Sequence, residues 1–475
     1  MSQKLLNLII HGFCGPMGSK TLEYAFEGRD IGSCLTLSHH PSDVPIVKAR
    51  SCVFHGPLDL DHTDWNGIAP LDEELIEKMR GTETVILEML TRRETDGRVL
   101  PYPERKRTYL QYLRWWNHIL EQENPDLFLA QDVPHLPREY VIYGLCKAKG
   151  INTIVCSPGD PLKDTIFFLD DWRVPAPGLR KRFEELKATV KEDSKLPPHL
   201  ESYYQSQTDA CPERARKPWY HQMSFPKLPW SLSPFKKGFW RKRLRHMARL
   251  LHAKRMFRFY EKNASAPDLT KKYIYFPLHM QPECNTCPLG GAYVNQELMI
   301  EMLSALAPEE VLIYVKEHPF QEFHHKDGMC RSMDFYRDLL AIKNVRFVPR
   351  TFSSYALIEH ATLIATVTGT AAFEGLFRAI PAIMYGHRFH REAPGVFPVR
   401  TFEDCRKAFD AIFHHGARPV LSDVRLFLRA VSEVGVHGYS NPTYRPATEL
   451  TDQENSKSVG TALKKKLGDI LPLHP

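Results

Sequence analysis

The chain has 475 residues, of which 43% are hydrophobic, and a formal net charge of +7. This length exceeds one ordinary domain and the composition is globular, so we expect two domains with additional segments. Mild basicity suits an anionic nucleotide, glycan or membrane surface, while the absence of any run of about 20 apolar residues excludes an ordinary membrane-spanning helix.

The N-terminal residues and the cysteines indicate a cytoplasmic protein. Residues 5–10 predict the first strand, and this apolar run is too short for the core of a signal peptide. The ten cysteines are scattered without a framework, as is typical of a reducing compartment. Cys284 and Cys287 have the CxxC spacing, but no second pair follows at zinc-finger spacing, so we do not expect a metal there.

A turn containing glycines over residues 11–20 follows the first strand. Its glycines match neither the GxGxxG pattern nor the P-loop spacing, which argues against kinase and dinucleotide-binding functions. Residues 126–130 and 151–156 predict two further buried strands, with a helix over 138–149 between them. We therefore expect a first α/β domain over residues 1–160.

Two polar residues, Asp132 and His135, follow the predicted strand at 126–130. Because ligands of open α/β sheets bind at the carboxyl ends of the strands, either residue is a candidate general base toward an acceptor hydroxyl. In the alternative interpretation, Asp132 caps the following helix and His135 packs in the turn.

Residues 161–262 lack the strand pattern and predict helices and long loops, including a proline-rich stretch at 218–234. Segment 236–262 has eleven lysines and arginines against one acid, Glu261, with aromatic and aliphatic residues between them. Such a basic amphipathic helix suits an anionic membrane surface. Alternatively, its aromatic residues pack between domains while its charges stay solvated. Nucleic acid is not expected, because no recognised binding motif accompanies the charge.

The second domain is expected over residues 263–440. Its apolar runs are short and continuously hydrophobic, as in strands buried on both faces of a parallel sheet, and helical patterns separate them. The predicted strands are 273–277, 311–315, 345–348, 363–367 and 382–385. After residue 440 the sequence is polar and contains several prolines, which predicts a partly ordered tail over 441–475.

Two strand ends in this domain have groups that suit an anion. Lys316, His318 and Pro319 follow the strand at 311–315, and Gly369 and Thr370 open a helix after the strand at 363–367. Backbone N–H groups at a helix start bind anions with help from the helix dipole. A shared anion site at these two strand ends is one interpretation, and an ordinary turn together with a helix N-cap is the other.

Three further side chains are candidates at other strand ends. Ser353 and Ser354 lie where hydroxyls can reach a nucleotide, although capping the following helix is their ordinary role. Glu283 follows the strand at 273–277 and is a reserve candidate for the general base. His324 and His325 lie in a predicted exposed loop, and no ligand at helical or tetrahedral spacing completes a metal site there.

The second domain resembles capsular polysaccharide biosynthesis proteins of the Kdo-transferase-like group. The resemblance rests on residues 275–283, 314–319 and 368–376, which read YFPLHMQPE, YVKEHP and TGTAAFEGL, and covers residues 273 to about 386. A weaker likeness, Val133-Pro134-His135 before a helix, lies in the first domain.

The resemblance implies an α/β protein of the GT-B type, in which two Rossmann-like domains face each other across a cleft and the C-terminal one holds the nucleotide donor. In relatives that use CMP-sugars, a His-Pro pair contacts the CMP phosphate, a role that falls here to His318 and Pro319. The Gly369-Thr370 helix start would be a further donor contact, and Glu374 would reach the ribose or the sugar. The nucleotide-sugar is a co-substrate, and the resemblance implies no metal and no other cofactor.

These implications predict a cytoplasmic glycosyltransferase that moves Kdo or a related acidic sugar from a CMP donor to a glycan or glycolipid acceptor. The basic segment 236–262 would place this enzyme at the inner face of the cytoplasmic membrane. Alternatives are a UDP-sugar transferase, a CDP-glycerol-type glycerophosphotransferase, and a non-catalytic glycan-binding or membrane-binding component of a polysaccharide assembly complex.

Overall fold

The computed structural model describes residues 5–38, 45, 47–55, 60, 62–92, 100–162, 164–189, 195–208, 239–321 and 331–472. The predicted loop with His324 and His325, the proline-rich stretch 218–234 and residues 236–238 lie outside these ranges. The chain forms two compact units. Unit 1 comprises residues 1–90, 101–191 and 428–475, and unit 2 comprises residues 91–100 and 192–427.

Unit 1 is built on a sheet that has seven strands among its described residues, in the order β13-β6-β5-β4-β1-β2-β3. The strands from β5 to β3 are parallel, while β6 and β13 pair antiparallel at one edge. The strands are β1 (Leu6–His11), β2 (Ile31–Leu37), β3 (Ala49–His55), β4 (Leu127–Ala130), β5 (Asn152–Pro158), β6 (Thr165–Leu169) and β13 (Val436–His437). The central strands are hydrophobic and buried because helices pack on the parallel sheet.

The helices of unit 1 include a C-terminal helix that the sequence did not predict. The helices over residues 1–191 are α1 (Gly15–Ala25), α2 (Glu73–Lys78), α3 (Arg80–Met89), α4 (Tyr102–Glu123), α5 (Pro137–Ala148) and α6 (Leu179–Thr189). Residues 452–470, predicted as part of a polar tail, form α15 (Asp452–Ile470), which packs on α1. A capping box between Thr451 and Glu454 starts this helix, and Leu463 and Leu467 enter the unit 1 core.

Unit 2 contains a sheet with six strands among its described residues, all parallel, in the order β12-β11-β10-β7-β8-β9. The strands are β7 (Tyr273–Pro277), β8 (Leu312–Lys316), β9 (Val345–Val348), β10 (Leu363–Thr366), β11 (Ala382–Met384) and β12 (Val396–Pro398). Helices between successive strands give the parallel order. Their side chains and those of the strands form one buried hydrophobic cluster.

The helices that begin in unit 2 are α7 (Pro198–Thr208), α8 (Phe239–Asn263), α9 (Gln296–Leu306), α10 (Met333–Ala341), α11 (Ser354–Glu359), α12 (Ala371–Leu376), α13 (Phe402–Phe409) and α14 (Leu421–Val434).

Helix α8 has two distinct parts. Near its C-terminal end, Ala253, Met256, Phe257 and Tyr260 enter the hydrophobic core. The C-terminal part of this segment therefore packs into the core of unit 2 itself, whereas the interpretation from the sequence placed its aromatic residues between domains.

Large apolar side chains are exposed in the N-terminal part of α8. The exposed fractions are 64% for Trp240, 66% for Leu244, 52% for Met247 and 61% for Leu251. At about 100° per residue these four positions form one stripe, which lies opposite the core-facing positions of the same helix. We call these four residues the α8 stripe.

The prediction of two α/β domains with parallel sheets is confirmed. The structure differs from the sequence-based account in five strands, β2, β3, β6, β12 and β13, which were not predicted. β6 lies inside the segment 161–262 that was expected to contain only helices and loops. The predicted domain bounds also differ from the compact units, because residues 428–475 belong to unit 1. Among the described helices, none combines the length and apolar composition that crossing a membrane requires.

Candidate active site

The carboxyl ends of the parallel strands of unit 2 meet at one edge of its sheet, and polar side chains follow several of them. His279 follows β7 and connects two of these ends. Its Nε2 accepts a hydrogen bond from the backbone N–H of Thr368 at 3.2 Å and lies 3.1 Å from the Thr366 hydroxyl oxygen. That oxygen also accepts from the N–H of Gly369 at 3.1 Å. The turn after β10 is therefore held by a histidine from β7.

The protonation state of His279 follows from its surroundings. Desolvation, together with the positive charges of His318, Arg331 and Arg388, lowers its pKa to about 3. The ring is therefore neutral near pH 7. A neutral ring with Nε2 as acceptor has its proton on Nδ1, which fixes the tautomer.

A buried ion pair anchors the end of β8. The Arg331 and Glu317 side chains are both inaccessible, and Nε of Arg331 lies 3.0 Å from Oε2 of Glu317. The same carboxylate accepts from the Tyr336 hydroxyl at 2.5 Å and from the backbone N–H of His318 at 2.7 Å. Nη2 of Arg331 donates to the carbonyl of His279 at 2.7 Å. One guanidinium thus joins the ends of β7 and β8 and fixes the backbone that presents His318.

The predicted pair His318 and Pro319 lies at this anchored turn. The His318 side chain is partly accessible, and its Nδ1 accepts from the backbone N–H of Phe320 at 3.2 Å. In the neutral ring this contact puts the proton on Nε2, so the outer edge of the ring is a hydrogen-bond donor. A donor at the end of a strand is suited to an anionic oxygen.

Lys316, Ser353 and Ser354 occupy defined positions near the same strand end. Nζ of the buried Lys316 donates to Oγ of Ser354 at 2.7 Å, and burial lowers the pKa of Lys316 to about 8. Ser353 caps α11 by accepting from the N–H of Ala356 at 3.2 Å, which is the ordinary role considered for it. Of the two serines, Ser354 is therefore the one whose hydroxyl Lys316 contacts.

Gly369 and Thr370 begin α12, which has only six residues. A side chain at position 369 would place its Cβ 2.7 Å from the Thr366 hydroxyl, so only glycine fits without a shift. The Thr370 hydroxyl donates to Oε1 of Glu374 at 3.0 Å, and the start of the helix has no side-chain cap. The structure therefore places Gly369 beside His279, while Glu374 contacts Thr370 one helical turn earlier.

Glu283 belongs to a chain of contacts that reaches β11. Its Oε1 accepts from Nδ2 of Asn285 at 2.9 Å, and Oδ1 of Asn285 accepts from Nη2 of Arg388 at 2.7 Å. The Thr368 hydroxyl donates to the carbonyl of Asn285 at 2.9 Å. Arg388 lies just beyond β11, so a cation from a fourth strand end joins the site. The neighbouring Cys284 and Cys287 are not joined in a disulfide.

The predicted residues of unit 1 lie at the end of β4. Oδ1 of Asp132 accepts from the N–H of Val133 at 2.8 Å, and Nδ1 of His135 lies 2.8 Å from the carbonyl oxygen of Val133. Helix α5 starts after Leu136 without a side-chain cap, so the alternative in which Asp132 caps this helix is wrong. Donation from Nδ1 of His135 leaves its Nε2 without a proton in the neutral ring.

Sequence reasoning missed His279, Glu317, Arg331 and Arg388. His279 and Glu317 both lie within segments that were singled out as strand ends, so the signal was present but assigned to neighbouring residues. Arg331 and Arg388 lie in segments without a motif, and only the tertiary contacts identify them. The site is therefore more cationic, and its backbone more tightly held, than the sequence indicated.

The comparisons with known proteins support one family. Residues 249–408 match the model of the capsule polysaccharide biosynthesis protein family, which is about a third of the chain and includes every unit 2 site residue named above. Among curated proteins, none matches this sequence.

Several solved structures are similar at low identity. The β-Kdo 2,7 transferase of KpsC from Thermosulfurimonas dismutans is 12% identical, with 66% of this chain and 79% of that chain covered and a TM-score of 0.29. The β-Kdo 2,4 transferase of the same KpsC is 13% identical, with 72% and 88% covered and a TM-score of 0.31. The UDP-GlcNAc 2-epimerase of Methanocaldococcus jannaschii is 12% identical, with 90% and 99% covered and a TM-score of 0.26.

The family match rests on sequence, and it covers the segment in which the polar strand ends of unit 2 converge. The resemblance to capsule polysaccharide biosynthesis proteins is thus confirmed over residues 249–408.

Proposed function

We propose that this protein is a glycosyltransferase of surface polysaccharide biosynthesis that transfers an acidic sugar such as Kdo from a CMP donor to a glycan or glycolipid. One observation supports this most directly. In the segment that matches the capsule family, His318 presents a ring N–H from a turn that a buried ion pair holds in place. Preorganised donors of this kind stabilise a departing phosphate because they need no rearrangement when charge develops.

The donor phosphate would lie near His318 and the Gly369-Thr370 turn. His279 links these two places, since its ring accepts from the Thr368 N–H and its pKa responds to the charge of His318. Arg388 adds a second positive charge near the same ring. Glu374 and Ser354 are proposed to contact the ribose or the sugar. With these groups balancing the phosphate charge, we propose that transfer needs no metal, and activity should withstand a chelator.

Thermal unfolding in the presence of CMP, CDP, UDP and inorganic phosphate tests this assignment. A ligand at about 100 times its Kd should stabilise the fold by about 2.7 kcal/mol, which is visible as a higher Tm. Stabilisation by CMP that is lost in His318→Ala supports the proposal. The matched control is His252→Ala, since His252 is an exposed histidine of α8 in the same unit and should leave the CMP effect intact.

The other outcomes separate the alternatives. Stabilisation by UDP alone would indicate a UDP-sugar transferase, and a requirement for CDP with a phosphodiester product would indicate a glycerophosphotransferase. No stabilisation by any nucleotide would contradict the enzyme assignment and favour a non-catalytic component that binds polysaccharide or membrane.

We also propose that the α8 stripe places this cytoplasmic protein on an anionic membrane surface. The stripe exposes four large apolar side chains, and exposed basic residues flank it or follow it on the same helix, among them Arg243, Lys254 and Arg258. Apolar residues that insert at the headgroup level, combined with attraction of Lys and Arg to anionic lipid, are the two contributions that bind interfacial helices.

Vesicle co-sedimentation tests the membrane proposal. Binding to anionic vesicles should weaken steeply with salt and should be lost in Leu244→Asp. The matched control is Leu298→Asp, because Leu298 is a similarly exposed leucine of α9, 45% accessible, away from the stripe. Equal loss in both variants, or binding that salt does not affect, would contradict a specific role of the α8 stripe.

A further inference from the structure

The glycine-containing segment 11–20 of unit 1 follows β1 and has no part in the proposed donor site. The neighbouring strand β4, which pairs with β1 in parallel, leads to the start of α5. Helix α1 begins after Cys14 and α5 begins after Leu136, both without a side-chain cap. Two helix N-termini therefore lie at the same edge of the sheet, where the positive ends of their dipoles favour a negative charge.

Three polar side chains meet at this edge. His11 is the last residue of β1, and Arg138 and Glu139 lie in the first turn of α5. Nε2 of His11 is 3.4 Å from Oε1 of Glu139, and Nη2 of Arg138 is 3.7 Å from the same oxygen. The accessible fractions of the side chains are 15% for His11, 7% for Arg138 and 2% for Glu139. We call these three residues the β1 cluster.

The β1 cluster is incompletely hydrogen-bonded. Nδ1 of His11, both terminal nitrogens of Arg138 and Oε2 of Glu139 are buried atoms without a hydrogen bond among the described residues. The 3.7 Å between Arg138 and Glu139 is too long for a hydrogen bond. Buried polar groups are normally paired, and each exception requires an explanation such as a bound group. Because these atoms belong to three adjacent side chains, a single ligand would satisfy all of them.

Positive groups predominate around Glu139. Burial raises its pKa, but the charge of His11 and its hydrogen bond, then the charges of Arg138 and His135, bring the pKa below the ordinary value of 4.5. The carboxylate is therefore ionised near pH 7, and it holds the proton of the His11 ring on Nε2. Three basic side chains thus act on one carboxylate, so the surroundings favour an additional anion.

The backbone next to His11 is both fixed and strained. The carbonyl of His11 accepts from the N–H of Gln131 at 3.0 Å, and Oε1 of Gln131 accepts from the N–H of Phe13. Gly12 has a φ of +79° and Phe13 a φ of +55°, which is uncommon for a residue other than glycine. A Cβ at position 12 would lie 2.2 Å from the Gln131 side chain, so only glycine fits without a shift. Strain of this kind clusters at ligand-binding and active sites.

We propose that the β1 cluster binds an acid that also has hydroxyl groups, namely a sugar acid or a sugar phosphate. The two terminal nitrogens of Arg138 suit two oxygens of a carboxylate or phosphate. Oε2 of Glu139 and Nδ1 of the neutral His11 ring are acceptors, so each suits a hydroxyl donor. Acetate would satisfy the arginine but neither acceptor, whereas a neutral sugar would satisfy the acceptors and leave the buried guanidinium unpaired.

The ligand reaches the β1 cluster past His11, whose side chain is the most accessible of the three. Binding requires residues of unit 1 alone. Use of the bound acid as the acceptor of the transferred sugar rests on the proposed function, in which the acceptor is a glycan or glycolipid. A carboxylate would come from an acidic glycan and a phosphate from a glycolipid headgroup, and Arg138 would recognise the oxygens of either.

Calorimetric titration of the full chain tests the class of ligand. The probes are D-glucuronate, D-glucose 6-phosphate, D-glucose and acetate. At least one of the two sugar acids should bind about tenfold or more tightly than glucose and acetate, as expected for hydrogen bonds to a charged group. The tighter of the two identifies the recognised acid as a carboxylate or a phosphate. Failure of both to bind, or binding no tighter than that of glucose, would overturn the proposal.

Variants locate the binding within unit 1. Arg138→Met should abolish the preference for sugar acids over glucose, and Arg138→Lys, which keeps the charge but not the paired donors, should retain part of it. The matched control is Arg29→Met, because Arg29 is a partly buried arginine that precedes β2 and so lies at the opposite edge of the sheet. His318→Ala in unit 2 should also leave the preference intact. A loss in either control as large as that in Arg138→Met would contradict the assignment.

A second readout does not depend on the folding of Arg138→Met. The ring nitrogen chemical shifts of His11 in the wild type, assigned by their loss in His11→Gln, should move with the sugar acid that binds and stay constant with glucose. Constant shifts at saturating acid would overturn the proposal. Lack of stabilisation by CMP would contradict the proposed function alone, since the titration of sugar acids involves no nucleotide.

Discussion

Each unit buries a glutamate beside an arginine at the ends of its parallel strands, but the two glutamates are satisfied to different extents. In unit 2, Glu317 accepts from Arg331, from the Tyr336 hydroxyl and from the backbone of His318. In unit 1, Oε2 of Glu139 has no hydrogen-bond partner among the described residues. A fully paired carboxylate holds the backbone and side chains around it in place. The difference indicates a structural role for Glu317, whereas Glu139 has capacity for a further hydrogen bond.

The largest effect on stability is expected from breaking the buried ion pair between Arg331 and Glu317. Arg331→Met leaves Glu317 buried without its cation and should destabilise the protein by about 3–5 kcal/mol. Chemical denaturation measures this loss. The double variant Glu317→Gln with Arg331→Met should be more stable than the single Arg331→Met, since no isolated charge remains. A single variant that is as stable as the wild type would show that the ion pair does not hold the end of β8.

The next effect tests the membership of α15 in unit 1. Leu463 is buried in the core of that unit, so Leu463→Ala should cost about 2–5 kcal/mol through lost contacts and a cavity. Lys465→Ala on the same helix is the matched control, because that side chain is exposed. Equal stabilities of the two variants in denaturant would contradict the packing of α15 against α1.

A smaller effect concerns pH and the turn after β10. The folded-state pKa of His279, about 3, lies below its ordinary value of 6.5, so the unfolded chain binds the proton first as pH falls. Stability should therefore fall between about pH 6.5 and pH 3, by up to about 1.4 kcal/mol per pH unit. His279→Gln keeps an acceptor but cannot titrate, and denaturation at several pH values should show a shallower slope for it. Equal slopes would contradict the low pKa.

The smallest effect on stability is expected from a change at Glu139, whose Oε2 has no hydrogen-bond partner among the described residues. Glu139→Gln removes a buried charge that has incomplete hydrogen bonding, and such replacements are often close to neutral, so the change should stay within about 1 kcal/mol. The same denaturation experiment measures it beside Glu317→Gln. A loss as large as that of Glu317→Gln would make Glu139 a structural residue and remove the contrast between the two units.

The sequence was sufficient for the strands whose hydrophobic runs are continuous, because burial on both faces of a parallel sheet requires that pattern. β7, β8 and β10 were predicted nearly to the residue. β2 and β3 were missed because Ser33, Thr36 and Ser51 interrupt their hydrophobic pattern. α15 was missed because its buried face is narrow, with Gly460 and Ser456 beside Val459 and Leu463.

The candidate site was predicted only where a residue stands directly at a strand end. His318 and Gly369 were found this way, and the structure places both next to His279. Arg331 lies fourteen positions beyond Glu317, so their pairing depends on how the chain returns to the sheet, which no local pattern encodes. His11 ends β1, and its contact with Glu139 joins two residues far apart in the sequence, so no local pattern predicts it.

The return of the C-terminal residues to unit 1 has a consequence for synthesis. The core of unit 1 includes side chains of α15, which leave the ribosome after all of unit 2, although β1 of the same unit leaves it before unit 2. Residues 192–427 of unit 2 emerge earlier, so that unit has nearly all of its chain while the sheet of unit 1 still lacks a covering helix. Domains usually fold in the order in which they are made. Here unit 1 is expected to become complete later than unit 2.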